Sequence, residues 1–180
     1  VKQIYATILA GVVASASAFD GSRKGFVLGA GAGGHLATTT DKVLLDGIAD
    51  RKIDNRFGLS SDFLLGYGFN SKFLLLYQNS GTWYRSHGDL FHGDIGPVGF
   101  RYYPTGDEPG FFVGASGALG SLVNRDEFEG AGGYGFTLTY GYEIKRHLSV
   151  ELKISHMSVE KDALRQTSNS IALMIEGLAY

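Results

Sequence analysis

Cysteine is absent from this chain, and proline occurs three times in 180 residues. Without thiols there is no disulfide frame, no thiolate metal site and no cysteine at a leader's cleavage point to carry a lipid anchor. The formal charge of −2 leaves no electrostatic footprint for nucleic acid. Beyond the first eighteen residues no run reaches the roughly 18 consecutive apolar residues of a spanning helix. Hydrophobic residues nevertheless make up 44% of the chain, so they must be arranged in some other way.

The abundant residues show that arrangement. Glycine occurs 27 times, about twice its usual ~7% share, beside 10 tyrosines and 12 phenylalanines. Along 133–143 two residue kinds alternate with a period of two. Gly133, Gly135, Thr137, Thr139 and Gly141 point one way, and Tyr134, Phe136, Leu138, Tyr140 and Tyr142 the other. A soluble sheet would put charges on its second face. A bulky apolar face backed by small, weakly polar residues suits a strand with lipid outside and a crowded barrel lumen inside.

The same alternation predicts eight strands, at about 24–38, 56–69, 72–84, 90–103, 111–122, 130–143, 148–158 and 168–180. Connections near 70, 105 and 145 are short, with Asn70 and Ser71 forming a hairpin turn. Those at 39–55, 85–89, 123–129 and 159–167 are mostly longer and polar. Pro97 lacks a ladder donor inside the fourth strand, which predicts a bulge there. In the eighth strand Met174, Glu176, Leu178 and Tyr180 share a face, and the pattern alone leaves open which face that is. The fold class is all-β: a transmembrane, eight-stranded, antiparallel up-and-down barrel at 19–180.

Residues 1–18 read as a signal peptide, with Lys2 as the positive region, an apolar segment at 4–14 and the small residues Ala16, Ser17 and Ala18 before the cleavage point. Export through it predicts the bacterial outer membrane, with membrane lipid and lipopolysaccharide as surroundings and a monomeric state. No motif calls for a cofactor or a metal. Gly29, Gly31 and Gly34 lack the following helix that a phosphate needs. His87 and His92 lack the spacing of a metal site.

On the seventh strand Leu148, Val150, Leu152 and Ile154 face lipid, which turns Glu151 and Lys153 inward. An eight-stranded lumen is about filled by side chains, so these charges need inward partners. Asp62 and Arg101 are the candidates, and the four form a predicted lumen charge network.

With the leader, the eight alternating strands, Tyr140-Gly141-Tyr142-Glu143 followed by Ser149-Val150-Glu151, and an aromatic at Tyr180, the chain resembles the small outer-membrane β-barrel superfamily. The resemblance implies the barrel fold, and makes Tyr180 the aromatic end of the signal read by the barrel-assembly machinery. His156, Met157 and Ser158 also resemble the lipid A deacylase barrels. That likeness implies an exterior serine nucleophile with a histidine base, cleaving an acyl ester of lipopolysaccharide. Val159, Lys161 and Ser170 stand where that family has an asparagine, a glycine and a glutamate. The first expectation is therefore a structural or surface-interaction barrel with a plugged lumen and no catalytic residues. The alternative is a lipid A ester hydrolase using His156 and Ser158.

Overall fold

The computed structural model describes residues 23–43, 51–86, 89–124, 129–161 and 164–180. Among these are eight strands: β1 (Gly25–Val43), β2 (Arg51–Asn70), β3 (Phe73–Ser86), β4 (Asp89–Tyr102), β5 (Phe111–Asn124), β6 (Glu129–Lys145), β7 (Leu148–Lys161) and β8 (Leu164–Ala179). Each pairs antiparallel with its sequence neighbours, and β8 pairs with β1, so the sheet is a closed barrel. The proposed leader and cleavage site, His87 and the 125–128 loop tip lie outside the described residues.

Period-two alternation decides which side chains meet which environment. The bulky residues stay on the outside: Phe57, Leu65, Val113, Leu138, Leu152 and Ile175 are all exposed. Phe26, Tyr67, Phe69, Phe73 and Phe100 form an unbroken chain of ring contacts across β1 to β4 near the end that carries the short turns. Phe111, Tyr140 and Tyr142 continue that band on β5 and β6. An apolar wall bounded by an aromatic belt is the surface of a transmembrane barrel.

Inside, three layers follow one another. Nearest the short turns are Val27, Leu64, Leu74, Leu76, Phe112 and Leu178. A polar middle follows, and then Tyr84, Ile95, Leu122, Met157 and Val159 toward the far end. The Phe112 ring occupies the space that a side chain at Gly141 would need, which accounts for glycine at that position.

The structure corrects three readings of the sequence. The 39–55 connection is mostly strand, because β1 and β2 stay paired through Thr38↔Asn55, Thr39↔Asp54 and Thr40↔Ile53. Three successive β-branched threonines favour extension, and Thr38 Oγ1 donates to Asn55 Oδ1 at 2.9 Å. The connection at 159–167 likewise shortens, with β7 and β8 still paired at Lys161↔Leu164. Pro97 produces no bulge. Tyr77↔Val98 and Ser80↔Ile95 keep a single β3–β4 register on either side of it, and the ladder lacks only the two positions between. Finally, Met174, Glu176, Leu178 and Tyr180 face the interior, which fixes the eighth strand's register.

Leu138 lies on the lipid face with Ala115 and Ile154 as its register partners. Replacing it with arginine should cost about 2–4 kcal/mol. Urea unfolding of the protein refolded into lipid vesicles measures this, and the unmutated barrel should show heat-modifiable gel migration.

Candidate functional site

Arg101 organises the polar middle of the lumen. Its guanidinium donates to Glu176 at 2.5 and 2.8 Å and lies 2.9 Å from Glu151. Lys153 pairs with Asp62 and lies 3.1 Å from the second Glu151 oxygen. Ser149 donates to Glu151, and the Arg101 guanidinium rests 5.0 Å from the centre of the Phe112 ring. All five charged groups are buried. Four of them are the residues that strand parity turned inward, and β8 adds Glu176 as a fifth. Asp62, Glu151 and Glu176 bring carboxylate oxygens within 4.8 Å of one another, a spacing that would suit a cation. Here Arg101 and Lys153 supply the positive charge.

A second charged cluster stands at the short-turn end. Arg23 is fully buried, pairs with Glu143 and lies 4.0 Å over the Tyr103 ring. The Tyr180 hydroxyl donates to the same Glu143. Burial and then the adjacent carboxylate push the Tyr180 phenol upward, so it keeps the proton it donates. Tyr180 thus points inward at the end of the barrel.

On the exterior, His156 and Ser158 share the outward face of β7. His156 Nδ1 lies 2.8 Å from Asn169 Oδ1 on β8, its register partner. The Phe136 ring lies 5.3 Å from the imidazole. With Nδ1 donating to the amide oxygen, Nε2 is left as the basic nitrogen. Ser158 is buried between Tyr134 and Thr167 in the ladder. Glu160, the next outward carboxylate along β7, pairs with Arg165. A groove of about 900 Å³ opens beside His156 and Asn169, with Leu36, Phe57, Ile154 and Ile171 among its walls.

Sequence reasoning missed Asn169 because it compared Ser170 with the expected acid. Once Met174, Glu176 and Leu178 face inward, parity sends Ser170 inward and Asn169 outward, beside His156. The polar residue two positions along each of those strands then follows from register alone.

No family model matches the chain, and no curated protein matches it. Among solved structures it is similar to Neisserial surface protein A, with 14% identity, 86% of this chain and 97% of that chain covered, and a TM-score of 0.49. It is similar to Ail, the attachment invasion locus protein of Yersinia pestis, with 11% identity, 85% and 99% coverage, and a TM-score of 0.47. The outer membrane protein OprG of Pseudomonas aeruginosa gives 13% identity, 89% and 97% coverage, and a TM-score of 0.47. The assignment of this chain as a closed barrel rests on its own strand ladder.

Replacing Arg101 with alanine strands Glu151 and Glu176 beside each other. The expected loss is about 3–5 kcal/mol, read as a lowered urea midpoint of the folded, heat-modifiable form. Arg101→Lys, which keeps the charge but not the two-pronged geometry, should lose less.

Proposed function

We propose that this chain is an integral barrel of a Gram-negative outer membrane, monomeric, with its lumen plugged by side chains and its far end serving a structural or surface-interaction role. The single observation that carries this reading is the buried network centred on Arg101. Crossed ion pairs from β2, β4, β7 and β8 tie opposite walls together at mid-lumen. The space left beside them, among Ser60, Asp62, Ser80 and Lys153, is about 10 Å³. That is room for about one water molecule, which supports a lumen filled by side chains at this level. Purified protein in planar lipid bilayers should therefore give no steady single-channel conductance. A large, stable conductance would overturn the reading.

His156 favours a second reading, hydrolysis of an acyl ester on an outer-leaflet lipid such as lipopolysaccharide. Its support is the His156–Asn169 hydrogen bond, since a histidine held through one nitrogen by a neighbouring amide presents the other as a base. Nε2 would take the Ser158 proton as Oγ attacks the ester carbonyl. It would return that proton to the departing alkoxide, and water would then release the acyl group from the serine. The apolar groove that His156 and Asn169 help to line is the place for the acyl chain.

Mass spectrometry of lipid A from cells expressing the chain separates the two readings. The structural reading expects identical lipid A from the unmutated protein and from Ser158→Ala. The hydrolase reading expects one acyl chain fewer only when Ser158 is present, with Asn169→Ala slowing its loss by about 10²-fold or more.

A further inference from the structure

Register places four outward polar side chains in one row across adjacent strands. Asn55 on β2 pairs with Thr38 on β1, Thr38 with Asn169 on β8, and Asn169 with His156 on β7. The row two residues nearer the short turns is apolar throughout: Phe57, Leu36, Ile171 and Ile154, in the same strand order. All eight line the groove of about 900 Å³ on this wall. Two hydrogen bonds within the polar row decide what it offers a ligand. Thr38 Oγ1 donates to Asn55 Oδ1 at 2.9 Å, and His156 Nδ1 donates to Asn169 Oδ1 at 2.8 Å. With both amide oxygens engaged, Asn55 and Asn169, which are exposed, each present an Nδ2 group with two protons to give.

Depth fixes the surroundings of this row. Phe26 belongs to the aromatic belt at the short-turn end. From Phe26 to Thr38, at about 3.3 Å per residue and a tilt near 40°, β1 climbs about 30 Å, which brings the row to the outer edge of an apolar band about 25 Å tall. Hydrocarbon ends at that height, and the acyl linkages of outer-leaflet lipid begin. Further out on β1 and β8 the register partners Lys42 and Arg165 are exposed, about 10 Å above the row. Arg165 is shared with Glu160.

We propose that this wall holds one molecule of a phosphorylated, multiply acylated glycolipid of the outer leaflet, the lipid A class. An acyl chain lies in the groove, the ester or amide carbonyls of the lipid accept from Asn55 and Asn169, and a phosphate stands near Lys42 and Arg165. Each layer of the wall thus meets the matching layer of the lipid, and the phosphate meets cations that bind it through charge-assisted hydrogen bonds. Spacing selects the class. The two amides stand two strands apart, about 10 Å, which is wider than two esters on neighbouring carbons of one glycerol and suits linkages carried on two joined sugars. The inference rests on the membrane placement proposed above. It shares its groove with the hydrolase reading but requires no cleavage, and it is independent of the plug.

The test is native mass spectrometry of the barrel refolded in nonionic micelles with hexa-acylated lipid A, with dioleoyl phosphatidylglycerol, and with the phosphorylated disaccharide stripped of its acyl chains. Ser158→Ala should retain one intact lipid A per barrel whether or not the unmutated protein cleaves it, which separates this test from the hydrolase reading. Asn55→Leu combined with Asn169→Leu should weaken that retention at least about tenfold through two lost hydrogen bonds. Leu36→Trp, which fills the groove and leaves every polar group in place, should weaken it as much and carries the test if the double variant fails to fold. The glycerol lipid and the stripped disaccharide should each bind at least about tenfold more weakly than lipid A, having lost one layer of the match. Equal retention of either control, no one-to-one complex with lipid A, or unaltered retention in Leu36→Trp would overturn the proposal.

Discussion

Hydrocarbon offers no hydrogen bonds, so each backbone N–H and C=O within it must be paired by the protein or cost several kcal/mol. The continuous β1–β8 ladder, from Leu28↔Ala179 to Val43↔Leu164, is how this chain meets that demand. Closure fixes much else. It allows no slip in register, because a shift of one residue on any strand would turn its whole apolar set inward. It also forces the interior to be narrow, since eight strands enclose little more than their own side chains. The break in the β3–β4 ladder at Pro97 keeps the register on both sides and so leaves closure intact.

A narrow interior that holds charges must also neutralise them. Asp62, Glu151 and Glu176 face Arg101 and Lys153 across the lumen, and contacts from one strand to its far neighbours link walls that the ladder itself does not join. Well-packed apolar residues would have been at least as stabilising. What the ion pairs add is directional: Arg101 meets two carboxylates from two strands, and the fit depends on both strands holding register. The Arg23–Glu143–Tyr180 cluster does the same at the short-turn end, joining Arg23, two residues before β1, to the end of β6 and the residue after β8.

Most of this architecture was legible because one rule, alternation, governs both faces. Tyr134 to Tyr142 could be assigned outward, and Glu151 and Lys153 inward, by alternation alone, and the need of those two charges for partners then pointed to Asp62 and Arg101. Two features lay beyond that rule. Strand ends above the lipid lose the apolar half of the pattern, so Thr39, Asp41, Lys52 and Asp54 look like loop although they pair as strand. The eighth strand has apolar residues on both faces, Leu173 and Ile175 outside and Met174 and Leu178 inside, so periodicity alone could not orient it. Glu176 breaks the tie physically, since a carboxylate facing lipid at that height lacks the counter-ion that Arg101 provides inside. Asn169, an odd number of positions before Glu176, then faces outward, and with it comes the partner of His156.

The distribution of polarity on the outer wall carries a further consequence. Toward the short-turn end the lipid-facing wall is apolar and aromatic, from Phe26 and Tyr67 through Phe100 and Tyr140 to Ile175, with Lys24, Lys72 and Lys145 exposed at its rim. The outward polar groups lie toward the far end on two separate walls, His156 with Asn169 on one and Asp94 with His92 on the other. The cost of a polar group on a lipid-facing strand falls steeply toward the interface, so that end of the band is where chemistry is tolerated at least expense to the fold. On both walls the polar side chain is held by a neighbour on the adjacent strand and flanked by an aromatic ring, Phe136 for His156 and Trp83 for His92. Ring and partner together shield the group from hydrocarbon while fixing its direction. The lumen network and these outward groups therefore answer different demands. Inside, charges are balanced to close the barrel; outside, polar groups are held by neighbours on the adjacent strand.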